Sequence, residues 1–152
     1  MAAGDLSSIQ GVGEVIRLAV APVFLLSGVG IMLTVFTNRL ARVVDRGREL
    51  ERQLEAGPEE QHAQIVHRSL GTLARRGRLL GLAITFATIC ALLVAIVIVV
   101  LFLGEAFFAS VTYVIEALFI TAMLSFIIAI LCFLREVFIA TASLRIGLHR
   151  RR

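Results

Sequence analysis

Three long apolar runs, separated by shorter charged segments, dominate the chain. A helix needs on the order of 20 apolar residues to cross a hydrocarbon layer of about 30 Å, and each run reaches that length. The runs predict transmembrane helices at residues 15–36, 79–103 and 106–134. Only Gly104 and Glu105 separate the last two runs, which predicts a tight hairpin with these two spans as antiparallel neighbours.

The segment between the first two spans, residues 37–78, mixes charged and apolar positions at helical spacing. Gly57 and Pro58 interrupt it, a pair typical of the end of one helix and the start of the next. The pattern predicts that the first two spans extend into a cytoplasmic helical hairpin whose apolar stripes face each other. The stripes comprise Leu40, Val43, Val44, Gly47, Leu50 and Leu54, then His62, Val66, Ser69, Leu70, Leu73, Gly77 and Leu80.

Residues 135–152, after the third span, repeat the spacing at Val137, Thr141, Leu144 and Leu148. This pattern predicts an amphipathic C-terminal helix in the cytoplasm. The helix either adds to the hairpin or lies flat on anionic lipid, because it is rich in arginine.

Composition supports the same fold class. Hydrophobic residues make up 59% of the chain, more than a soluble domain of 152 residues can hide in one core. We therefore expect an all-α integral membrane protein with a single membrane domain and an outer N-terminal segment at residues 1–14. That segment contains Asp5 and Glu14 but no basic residue, unlike a cleaved signal peptide, so the first span is expected to remain as an anchor.

The placement of the arginines predicts the orientation. Nine of the 15 lie in residues 39–78, five lie in residues 135–152, and Arg17 is near the start of the first span. Short basic segments stay in the cytoplasm, so we expect the amino terminus outside and the carboxyl terminus inside. Residues 39–78 also contain six acids, and this interleaved charge argues against a nucleic-acid partner.

Membrane lipid is the expected partner of Arg39, Arg42 and Arg46, which follow the first span at headgroup level. Two roles remain open for them: specific headgroup contacts, or simple anchors that reach the interface. Small residues recur every four positions on the other two spans, as Ala83, Ala87, Ala91 and Ala95, and as Ala117, Thr121, Ser125 and Ala129. These helix-packing stripes are interpreted as contacts between spans of one chain, with a dimer seam as the alternative.

Glu116 is an ionisable residue well inside the third span, where a charged side chain costs a few kcal/mol. One interpretation is a protonated or hydrogen-bonded glutamate, either paired with Arg17 or held by the Leu18 carbonyl that Pro22 frees, with Thr112 one turn away. The other is a ring of carboxylates around an oligomer axis that binds or filters cations. The direction in which the Glu116 side chain points distinguishes the two interpretations.

Catalytic chemistry is not indicated. Cys90 and Cys132 lie within the spans and are interpreted as small buried residues, and His62 and His67 are five positions apart, unlike a helical zinc motif. We therefore expect no enzyme activity, no metal site and no cofactor.

The stretch LAVAPVFLLSGVGIMLTVFTNRLARVVDRGRELE, Leu18 to Glu51, resembles the signature of an uncharacterised family of bacterial membrane proteins, domain of unknown function 2721. The matching residues are Pro22, Phe24 and Leu25, then Asn38, Arg39, Arg42, Asp45, Arg46 and Arg48. The resemblance implies a small three-span protein of the bacterial inner membrane, and it carries no activity with it.

Two functions are therefore expected. The first is a structural or accessory membrane subunit that associates with its own copies or with a larger complex through its cytoplasmic helices. The alternative is a small oligomeric cation channel with Glu116 as its acidic site. Interleaved charges, amphipathic stripes and alanine stripes favour the first, since a pore requires polar residues along one face.

Overall fold

The computed structural model describes residues 2–57, 60–107 and 112–148, which form three helices. They are α1 (Ala2–Glu55), α2 (Glu60–Phe107) and α3 (Thr112–Leu148), and this described part contains no strand. Each helix is long and apolar enough to cross a membrane, over Ile16–Glu55, Ala63–Leu103 and Tyr113–Thr141. The predicted all-α fold with three candidate membrane helices is confirmed.

The end of α1 follows from local backbone chemistry. Gly57 has a φ of 70°, a left-handed conformation that glycine adopts without a Cβ penalty. The amide of Ala56 donates to the carbonyl of Arg52, and the amide of Gly57 donates to that of Leu54, both at 3.2 Å. These bonds satisfy carbonyls that the helix end would otherwise leave open.

One connection differs from the sequence-based expectation. Gly104 and Glu105 are helical, because α2 continues to Phe107, and residues 108–111 lie outside the described part. Residues 135–148 are helical and continuous with the third span, since α3 runs without a break from Thr112 to Leu148. No proline or glycine lies between residues 134 and 146 to stop it.

The chain divides into two compact units. Unit 1 comprises Met1–Met32 and Ala87–Ile127. Its buried residues are small or medium-sized, which lets helix backbones approach closely where lipid removes the hydrophobic drive for association. They include Ala19, Val29, Ala87, Cys90, Val94, Val97, Ala122 and Ser125. Larger side chains such as Phe24 and Leu92 are exposed, as expected when lipid is the solvent.

Unit 2 comprises Leu33–Phe86 and Ile128–Arg152. Its core combines large apolar side chains with one carboxylate, namely Phe36, Val43, Leu50, Val66, Leu80, Ala83, Ala129 and Glu136. Within this unit α1 and α2 pair in opposite directions, and Gly77 allows a close approach, since a Cβ there would lie 3.9 Å from Val43 Cγ1. Unit 2 therefore brings polar groups of three helices within reach of each other.

Candidate functional site

A buried carboxylate joins the three helices in unit 2. Glu136 of α3 is fully buried, with Oε2 2.8 Å from Nη1 of Arg39 on α1. Its Oε1 accepts bonds from Arg76 on α2, at 3.0 Å from Nε and 2.8 Å from Nη2. Each carboxylate oxygen thus has a charged donor, the stronger kind of hydrogen bond. We call these three residues the Arg–Glu–Arg cluster.

Aromatic rings border the cluster on one side. The Phe133 ring centroid lies 5.3 Å from Cζ of Arg39, within the range of a cation–π contact. The ring of Phe36 lies 4.8 Å from that of Phe133, centroid to centroid, at an angle of 39°. The Arg39 guanidinium is therefore held by a carboxylate and by an aromatic face.

The position of the cluster along the chain explains why it forms. Arg39 follows the predicted span 15–36, Arg76 precedes 79–103 and Glu136 follows 106–134. Charges at these places avoid the cost of the hydrocarbon interior. Since α1 and α3 leave their spans where α2 enters its own, the three side chains can meet.

The cluster opens onto a cavity of about 300 Å³. Most of its lining residues are arginines of α1 and α2, and the others are apolar. The lining comprises Arg39, Arg42, Val43, Arg46, Leu73, Arg76 and Ala140. The structure therefore brings together the three arginines that the sequence marks as headgroup contacts. Arg39 is half-buried in the cluster, whereas Arg42 and Arg46 are exposed.

Glu116 lies elsewhere, on an exposed face of α3 in unit 1. Among the residues whose side chains the structure describes, none forms an ion pair with Glu116, so the pairing with Arg17 is not formed there. Arg17 is exposed on α1, and Thr112 begins α3 but its side chain lies outside the described part. The predicted acidic site and the Arg–Glu–Arg cluster are thus separate features.

The small-residue stripes follow the helix surface at an angle. A step of four residues advances 400° around a helix of 3.6 residues per turn, so each stripe drifts by about 40° per step. On α2, Ala83 and Ala87 are buried, and the next two members, Ala91 and Ala95, are half-buried. On α3, Ala117 and Thr121 are exposed, while Ser125 and Ala129 are buried. Ala122 takes the buried position that the stripe assigned to Thr121.

The sequence patterns do not single out Glu136 and Arg76, which form the cluster. Glu136 lies next to Arg135, at the start of the arginine-rich segment 135–152. A signal was present, because Glu136 lies on the same helix face as Ala129 and Phe133, with an apolar neighbour in Val137. An acid on the buried stripe of a helix, at the level where arginines accumulate, predicts a buried ion pair.

The described residues contain no group of three His, Cys, Asp or Glu side chains that could hold a metal ion. Cys90 and Cys132 are free thiols. In unit 2, the guanidinium groups of Arg39 and Arg76 form charge-assisted hydrogen bonds to the Glu136 carboxylate.

Comparison with known proteins leads to a family. Neither the curated proteins nor the solved structures contain a match to this chain. A family profile described as "Protein of unknown function (DUF2721)" matches residues 19–146, which include α1 from Ala19, all of α2 and nearly all of α3. Because the match covers most of the chain, the protein belongs to the DUF2721 family of proteins of unknown function.

Proposed function

We propose that the protein is an accessory subunit of the bacterial inner membrane, without catalytic activity, that associates with a second copy of itself through α3. The observation that carries this proposal is the exposure of Glu116 on a helix that is otherwise suited to lipid. It is the only charged residue between residues 106 and 134. In lipid, an exposed carboxyl at this depth costs a few kcal/mol, so a surface that covers it is favoured.

The surface around Glu116 is suited to a neighbouring helix. Tyr113, Ala117, Ile120 and Thr121 are exposed beside it on α3, and we call these five residues the Glu116 face. Its small members permit close approach of backbones. The Thr121 hydroxyl donates to the Ala117 carbonyl at 2.7 Å, so it needs no outside partner. A groove of about 360 Å³ lies alongside, lined by Tyr113, Val114, Ala117, Leu118 and Thr121.

A second copy is the occupant that fits this surface best. Two-fold symmetry places the same patch on both sides of an interface, so two Glu116 carboxyls would meet. Two carboxyl groups that meet can hydrogen-bond to each other, so the contact is self-complementary. Neither member then needs a basic residue from another protein.

Cross-linking tests the association. In a background with Cys90→Ala and Cys132→Ala, we expect Ala117→Cys to form disulfide-linked dimers in native membranes. Leu92→Cys, at an exposed position of α2 in the same unit, is the control and should stay monomeric. Equal cross-linking at both positions would indicate random collision and contradict the proposed interface.

Substitution of Glu116 separates the accessory role from the channel. Glu116→Leu should shift the protein toward monomer, because it removes the cost of exposing the carboxyl to lipid, whereas Glu116→Gln keeps a hydrogen-bonding group and should remain dimeric. The number of protein copies in each lipid nanodisc measures the oligomeric state of both variants. Cation flux through reconstituted wild-type protein that is lost in Glu116→Gln would overturn the accessory role in favour of the channel.

We also propose that the amino terminus faces outside and the carboxyl terminus faces the cytoplasm. The arginine distribution supports this orientation, and the contact among Arg39, Arg76 and Glu136 agrees with three span ends on one side. In the cysteine-free background, an impermeant thiol reagent should label Ser8→Cys in intact cells and Ala56→Cys only after lysis. Labelling of Ala56→Cys in intact cells would reverse the orientation.

A further inference from the structure

The arginine-lined cavity of unit 2 has an excess of positive charge. Four guanidinium groups line it, from Arg39, Arg42, Arg46 and Arg76, against the single carboxylate of Glu136. Within the described part of the chain, neither Arg42 nor Arg46 forms an ion pair. Like charges held close together repel, so the cavity favours a bound anion.

Two of the four guanidinium groups are fixed before any ligand arrives. Glu136 holds Arg39 through Nη1 and holds Arg76 through Nε and Nη2, and the Phe133 ring borders Arg39. A site with its donors already ordered loses less conformational entropy on binding. Arg42 and Arg46 also line the cavity and are exposed, so their side chains can adjust to a ligand.

The depth of the cavity indicates where the anion comes from. Arg39 and Arg46 lie three and ten residues beyond the predicted end of the first span at Phe36. At 1.5 Å per residue these positions are about 4.5 and 15 Å from the hydrocarbon, at the level of lipid headgroups and the adjoining water. The three lining residues that are not arginine, Val43, Leu73 and Ala140, are apolar.

We infer that this cavity binds a phosphate group, presented by an anionic phospholipid at the cytoplasmic membrane surface or by a soluble phosphate. Guanidinium groups match phosphate through paired hydrogen bonds, and Arg42 and Arg46 supply donors that Glu136 does not use. Basic pockets between membrane helices on the cytoplasmic side suit phospholipid headgroups. The cavity lies within one chain and does not depend on the proposed association.

The test measures lipid binding to the full chain by native mass spectrometry. Phosphatidylglycerol is titrated against the wild type, with phosphatidylcholine as the neutral lipid. Arg42→Gln with Arg46→Gln should weaken phosphatidylglycerol binding by on the order of tenfold, since each arginine near a phosphate contributes to affinity. Both side chains are exposed and outside the Arg–Glu–Arg cluster, so the variant should fold.

A matched control distinguishes the cavity from general surface charge. Arg75→Gln with Arg78→Gln removes the same charge from exposed residues on either side of Arg76, neither of which lines the cavity. This control should change affinity by no more than about twofold. An equal loss in the two double variants, or an absence of preference for phosphatidylglycerol over phosphatidylcholine together with no phosphate binding, would overturn the inference.

Competition with inorganic phosphate distinguishes a lipid phosphate from a soluble phosphate as the bound group. If phosphate displaces bound phosphatidylglycerol from the wild type and raises its melting temperature in neutral detergent, the site accepts a soluble anion. Lipid binding that resists phosphate competition assigns the site to the membrane surface. Either result supports a phosphate site, provided that Arg42→Gln with Arg46→Gln weakens the effect and Arg75→Gln with Arg78→Gln does not.

Discussion

Glu136→Gln should destabilise the protein by about 3–5 kcal/mol, the cost of removing one partner from a buried ion cluster. The substitution keeps the size of the side chain, but it leaves Arg39 and Arg76 adjacent without the negative charge between them. The amide also presents an NH₂ group to donors that require an acceptor. Unfolding in mixed micelles, followed by circular dichroism, measures the loss.

Asp45→Asn is the control for this prediction, because Asp45 is an exposed acid that forms no ion pair among the described residues. We expect a change within about 0.5 kcal/mol there. A double-mutant cycle adds Arg39→Gln to Glu136→Gln, and the combined loss should be smaller than the sum of the single losses. Additive losses would show that the two side chains do not interact in the membrane.

Phe36→Ala should cost about 3 kcal/mol, since it removes a fully buried ring from unit 2. Lipid lowers the transfer part of this cost, but the cavity left beside Phe133 loses its packing contacts. The ring of Phe133 also borders Arg39, so Phe36→Ala and Glu136→Gln should be coupled. Unfolding in mixed micelles, followed by circular dichroism, measures this loss as well.

Phe138→Ala is the matched control, on α3 in the same unit, with 64% of Phe138 exposed. It should have little effect on the free energy of unfolding, because most of the side chain is exposed and loses few packing contacts. If Phe36→Ala and Phe138→Ala destabilise equally, the buried face of unit 2 is incorrectly assigned.

Much of the fold follows from local patterns. The three apolar runs predict three helices because every backbone group in a hydrocarbon layer must be satisfied within its own segment. Gly57 ends α1 as its position after an amphipathic stripe predicts, through a positive φ. Leu50 and Val66, on the two predicted hairpin stripes, are buried.

Helix ends were harder to predict. Glycine is common in turns, but Gly104 lies inside α2, which continues to Phe107. A glycine in a helix costs only about 1 kcal/mol, so it does not by itself end an apolar helix. Likewise Arg135 changes the polarity of α3 without changing its helix propensity, and the helix continues to Leu148.

Local sequence patterns predict the number of helices, the all-α class and the level of the charged residues along each helix. These properties depend on hydrophobicity and on a rise of 1.5 Å per residue, which are local. Which charges meet depends instead on the packing of the helices. Glu116 and Glu136 are both acids on α3, yet the first is exposed and the second is fully buried against Arg39 and Arg76. The difference depends on which side of α3 faces α1 and α2, and that orientation comes from packing between helices that are distant in sequence.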